Sequence, residues 1–177
     1  MENGLDFELC RDILSFGIRP TERVLHLGCG DKQTNLLDNL QTLNPALFYL
    51  GIDIDFDVID KLKEKYSDIP TYSFDNTTIQ NFLDFTMHGR EGNLEFEHTI
   101  ITGIFDKPVY KEKQYIFISM VVKRCLQFCN QVIFTVDDYN YRDYNYSVLY
   151  VINNLISSFD NVKMIKKFNK YIFCITH

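Results

Sequence analysis

Residues 23–32 read RVLHLGCGDK, an apolar run that meets two glycines one residue apart. Arg23 to Leu27 has the short apolar character of a buried strand, and Gly28 and Gly30 mark a tight turn at its end. Glycine at such a turn permits positive φ and close backbone approach, and a helix start beyond it offers N–H groups to an anion. The second apolar run, "LFYLGID", closes on Asp53, 25 residues after Gly28. A carboxylate at that distance suits the two hydroxyls of a ribose.

Working outward, the periodicity alternates between helix and strand along the chain. "LDFELCRDILSFG" predicts a helix stopped by Gly17 and Pro20. "TNLLDNLQTL" and "FDVIDKLKEKY" predict two more helices, the latter with early acids and late lysines that suit its dipole. "TYSF" predicts a third strand, "TIQNFLDF" a weak helix, "HTIITGIF" a fourth strand, "KQYIFISMVVKRCLQFC" a helix and "QVIFTV" a fifth strand. After "SVLYVINNLISSF", a further helix, "NVKMIKKF" and "KYIFCITH" lie too close together for a parallel crossover and must pair antiparallel. The expected architecture is five parallel strands covered by helices on both faces and finished by a hairpin, with residues 1–177 forming one domain. The lysines of "KMIKKFNK" are expected on the solvated side of an edge strand.

Bulk properties narrow the function. The net charge of −6 argues against a nucleic-acid surface, which needs a basic patch. No apolar run is long enough to suggest a membrane span, and "MENGLDFELC" lacks the pattern of a secretory signal. Five scattered cysteines fit reduced thiols in the cytoplasm, and the Cys125/Cys129 pair lacks neighbours for a metal site.

Dinucleotide sites want a third glycine, as in G-x-G-x-x-G, but Gln33 stands at that place, which disfavours NAD or FAD. Over essentially its whole length the chain resembles the class I S-adenosylmethionine-dependent methyltransferases, in particular small bacterial-type members with "SGIF" where this chain has "TGIF". "VLHLGCGDK" resembles their first motif, "FYLGIDID" the second, "TYSFDN" the third, and "HTIITGIFDKP" the fourth strand and its exit. The resemblance implies a three-layer Rossmann-like α/β sandwich whose seven-stranded, mostly parallel sheet ends in an antiparallel hairpin. It implies S-adenosyl-L-methionine as cofactor, with His26, Gly28, Cys29, Gly30, Asp53, Ile54, Asp75, Asn76, Thr102 and Gly103 around it.

Two departures stand in the first motif, where His26 replaces the usual acid and Lys32 the third glycine. A neutral imidazole can accept one hydrogen bond from the methionyl ammonium, whereas a protonated one repels it. A histidine inside an apolar strand is also, more often than not, a satisfied core residue. Lys32 either supplies charge for the carboxylate or points to water.

Candidate bases sit at strand exits: Asp106 and Lys107 after the fourth strand, Asp137 and Asp138 after the fifth. Of these, Asp106 and Asp137 are taken as the catalytic candidates. His88 is read as solvated in a loop, and His98 as lying at the opposite end of the sheet. "DDYNYRDYNYS" either overhangs the site, its tyrosines stacking on a flat aromatic acceptor, or is a solvated loop. The expected activity is methylation of oxygen or nitrogen on a small molecule or a protein side chain. The alternatives are an inactive relative that still binds through the same fold and, behind it, an NAD-binding oxidoreductase.

Overall fold

The computed structural model describes residues 2–30, 34–88, 96–105, 114–138, 140–141, 146–167 and 169–177. In chain order the elements are α1 (Glu2–Ser15), β1 (Arg23–Leu27), α2 (Thr34–Leu43), β2 (Phe48–Asp53), α3 (Phe56–Lys65), β3 (Tyr72–Asn76), α4 (Ile79–His88), β4 (Phe96–Ile101), α5 (Gln114–Cys125), β5 (Cys129–Asp137), β6 (Asn140–Tyr141), β7 (Tyr146–Ser147), α6 (Val148–Ser158), β8 (Asn161–Lys167) and β9 (Lys170–Thr176). Seven strands form one sheet in the order β3-β2-β1-β4-β5-β9-β8. β1 to β5 run parallel, and β9 pairs antiparallel with both β5 and β8. The seven-stranded sandwich with its closing hairpin is therefore the architecture of the chain.

Strand side chains alternate between the two faces, and each face has its own core. Val24, Tyr49, Ile100, Ile133 and Ile172 pack with Ile13 of α1, Leu36, Leu37 and Leu40 of α2, and Ile59 and Leu62 of α3. Leu25, Leu27, Ile52, Ile101, Val132 and Phe134 pack with Leu83 of α4, Ile118 and Val122 of α5, and Val151 and Leu155 of α6. β5 is buried without a break from Gln131 to Val136, as a strand flanked on both edges and covered on both faces must be. β8 is the sheet's edge and is largely solvated, so the lysine-rich run lies where edge chemistry favours it.

Local chemistry sets the helix that follows β2. Asp55 caps α3 by accepting from the Val58 N–H, Asp57 sits in the first turn, and Lys63 and Lys65 sit in the last. Its Tyr66 hydroxyl and Lys65 ammonium both bind the Asp38 carboxylate of α2, at 2.6 and 2.7 Å. At the opposite end of the sheet, His98 is buried between the Gln131 amide oxygen and the Glu22 carboxylate.

Three readings shift. β4 begins two residues before His98 and stops at Ile101, because Gly103 takes φ +75° and cannot continue an extended strand. His88 ends α4 instead of lying in a loop. Of the tyrosine-rich segment, residues 140–141 and 146–147 form a two-stranded ribbon; Tyr139 and residues 142–145 lie outside the described residues. Among the described residues, no helix is long and apolar enough to cross a membrane, and no group of three or more metal-ligating side chains converges. All five cysteines are free and buried.

Candidate functional site

Parallel packing brings the carboxyl ends of β3, β2, β1 and β4 side by side, and a cleft of about 240 Å³ opens beyond them. It is lined by Gly28, Ile52, Asp53, Ile54, Thr77, Thr78, Ile79 and Ile104. Asp53 is the ionisable group among these residues, and the backbone fixes it. Its Oδ2 accepts from the Gly30 N–H at 2.9 Å and its Oδ1 from the Asp55 N–H at 3.0 Å. Two bonds leave lone pairs on both oxygens, since an ionised carboxylate accepts about four.

The glycines earn their places by contact. Gly28 sits at φ +76°, and a β-carbon there would lie 2.6 Å from Cδ1 of Ile104. At Gly30 a β-carbon would come 3.1 Å from Oδ2 of Asp53, so its absence lets the carboxylate reach the turn. The turn does not present a cradle of free N–H groups, however. Gly28 and Cys29 both donate to the Ile52 carbonyl, at 2.8 and 3.1 Å, and Gly30 donates to Asp53. The amides of Gly28, Cys29 and Gly30 are thus consumed in joining β1 to the tip of β2; the N–H groups offered to an anion were expected at the helix start beyond them, where residues 31–33 lie outside the described residues.

His26 lies beneath this turn, 1% exposed. Its Nδ1 is 2.7 Å from the Tyr49 hydroxyl and its Nε2 is 2.7 Å from Oγ1 of Thr102. Burial pushes its pKa from 6.5 down to about 3, so the ring is neutral and donates from one nitrogen while accepting at the other. With both nitrogens engaged, the ring belongs to the core and ties β2 to the exit of β4. Thr102 is buried with it. The Cys29 side chain is also buried, facing the position where a side chain on Gly51 would project, and burial pushes its thiol up to about 12.

Asn76 turns its amide back onto the carbonyls of Asp53 and Ile54, at 3.2 and 2.9 Å, and so braces the strand tip that carries the acid. Asp75 is exposed and stands outside the cleft lining, as does Gly103. Of the ten cofactor candidates, Gly28, Asp53 and Ile54 line the cleft, Gly30 and Asn76 hold Asp53 and its backbone, and His26, Cys29 and Thr102 lie beneath. Sequence reasoning missed Thr77, Thr78, Ile79 and Ile104. Their one available signal was position: each follows a strand exit.

Two large apolar side chains stand exposed at the β2 tip, Ile54 at 72% and Phe56 at 62%. Of the catalytic candidates, Asp106 lies outside the described residues, as do Lys107 and Lys32. Asp137 ends β5 and accepts from the Lys170 ammonium at 2.7 Å, and Asp138 pairs with Lys166 at 2.6 Å. Neither lines the cleft.

No protein-family model matches the chain, and no curated protein matches it. Solved structures do. The CurJ carbon methyltransferase superposes with a TM-score of 0.69 at 15% identity, covering 97% of this chain and 54% of that one. The N-terminal domain of EvdMO1 with SAH bound gives 0.63 at 10% identity, covering 97% and 80%. A variant of MtNAS in complex with S-adenosylmethionine gives 0.63 at 11%, covering 98% and 62%. The chain thus spans little more than half the length of CurJ and about three fifths of MtNAS. Sheet order, the antiparallel β9 and these superpositions agree on one conclusion: the chain has the fold of the class I S-adenosylmethionine-dependent methyltransferases.

Proposed function

We propose that the chain is an S-adenosylmethionine-dependent methyltransferase. The observation that carries this reading is Asp53, a backbone-fixed carboxylate at the mouth of an otherwise apolar cleft. A ribose diol fits the open lone pairs of such a group. A flat base would run from there toward Thr77, Thr78 and Ile79, and Ile54 supplies an exposed apolar surface for it to cover. Covering one such side chain is worth about 2 kcal/mol. The cofactor supplies an electrophilic methyl on a sulfonium; the protein's part is to fix the ribose, exclude water from the cleft and hold the acceptor in line.

The acceptor we propose is oxygen or nitrogen on a small molecule or a protein side chain, an aromatic small molecule fitting the tyrosines of residues 139–146. The acidic balance of the chain opposes a nucleic-acid acceptor. Five free thiols suit a reducing cytoplasm. Asp106 remains the proposed base. Asp137 is the weaker candidate, because the Lys170 ammonium already occupies one of its oxygens at 2.7 Å and the residue stands outside the cleft lining. That same pairing favours one second reading, a binding protein that holds the cofactor without turnover.

Calorimetry with S-adenosylmethionine, S-adenosylhomocysteine and NAD tests the proposal. Binding of the first two and not the third is expected. Binding of NAD alone, or of none, refutes it. Binding without turnover on a panel of phenols, amines and peptides favours the second reading.

A further inference from the structure

Ile104 stands where the far end of a bound cofactor would have to go. The sheet order β3-β2-β1-β4 sets a direction across the strand tips. Thr77, Thr78 and Ile79 follow β3, Asp53 ends β2, the Gly28 turn follows β1, and Ile104 follows β4. With the ribose on Asp53 and the base toward β3, any 5′ substituent runs the other way, over Gly28. That space is occupied. Cδ1 and Cγ1 of Ile104 lie 2.6 and 2.7 Å from the position of a β-carbon on Gly28, so the isoleucine fills the room that the glycine leaves. The remaining cleft of about 240 Å³ is smaller than the ~300 Å³ at the low end for drug-sized ligands.

We propose that Ile104 is the specificity-determining residue of this site: as packed on Gly28, it admits a nucleoside and holds back the amino-acid tail of the cofactor. The inference rests on the reading of the cleft given under Proposed function. Clearing the space takes more than a flip at the end of the side chain. Turning χ2 moves Cδ1, but Cγ1 is held by the stiff χ1 of a β-branched residue. The backbone must also shift, and Gly103, exposed and at φ +75°, is the pivot beside it. Ile104 is half-buried against the α4–α6 core, so displacing it also gives up apolar contact.

The test is calorimetric titration of the wild type, Ile104→Val and Ile104→Ala with adenosine and with S-adenosylhomocysteine. Valine removes only Cδ1, the atom nearest Gly28, and keeps the fold if alanine does not. The readout is the ratio of the two affinities. It should rise about 10-fold in favour of S-adenosylhomocysteine in Ile104→Ala and about 3-fold in Ile104→Val, where a tenfold change is about 1.4 kcal/mol. If both ligands bind and the ratio is unchanged in the folded variants, the gate is refuted while the site reading stands. If neither ligand binds any of the three proteins, the site reading itself fails and takes the gate with it.

Discussion

Acid should loosen this protein through one ring. His26 is fully buried and its pKa is pushed from 6.5 down to about 3, so the folded chain refuses a proton that the unfolded chain accepts near pH 6.5. Above that pH neither state carries the proton, and the stability of the neutral, bonded ring is fully present. As pH falls through 6.5, only the unfolded state is protonated, and folding loses about 1.4 kcal/mol per pH unit until the folded value is reached. By about pH 5 the loss attributable to His26 is about 2 kcal/mol. Urea unfolding of the wild type and of His26→Asn across pH 7.5 to 5 measures it, because every other titrating group is common to both chains. At pH 7.5 the variant should be less stable by about 1–3 kcal/mol, since the Tyr49 and Thr102 hydroxyls lose their partner. That gap should then shrink by about 2 kcal/mol as the pH reaches 5, because asparagine does not titrate. Two parallel curves would refute the buried neutral ring and with it the His26 tie between β2 and β4.

Further outcomes are expected elsewhere. Asp53→Ala should weaken S-adenosylhomocysteine by about 1–3 kcal/mol in calorimetry, the range for a buried polar group losing its partner. Gly28→Ala forces a methyl to 2.6 Å from Ile104 at φ +76° and should cost about 3 kcal/mol in urea unfolding, part of it recovered by adding Ile104→Ala, which removes both Cδ1 and Cγ1. A chromogenic disulfide reagent should find no fast thiol in the native protein and five in denaturant, since Cys10, Cys29, Cys125, Cys129 and Cys174 are all buried and burial raises each pKa. Burial pulls the Glu22 carboxyl up, but the Arg19 N–H and His98 pull it down further, to below its ordinary value. Glu22→Gln should therefore lower stability at pH 7, and the wild type should lose the same contribution only as the pH falls below about 4.5.

The layered sheet was readable because its signals are local. The Leu36, Leu37, Leu40 stripe, the early acids and late lysines of the third helix and the alternation of helix with strand need no knowledge of distant partners. Asp53 could be placed for the same reason, as the polar end of an apolar run. His26 could not be settled so, because its partners Tyr49 and Thr102 lie 23 and 76 residues away in the chain. Ile104 escaped notice because "HTIITGIF" reads as one unbroken strand, and only the positive φ of Gly103 turns its second half across the neighbouring strand tip. The commitment of the Gly28–Gly30 amides was equally hidden, since it depends on how high the tip of β2 rises beside them.

The place of β9 bears on how the chain is made. Residues 170–176 are inserted between β5 and β8, not added at the margin. On the ribosome, β5 emerges well before them, with the "VIFTV" segment offering an unsatisfied row of amides and carbonyls to any passing strand. A nascent chain halted near residue 165 should therefore aggregate, whereas one that includes residues 170–176 can close the gap and remain dispersed.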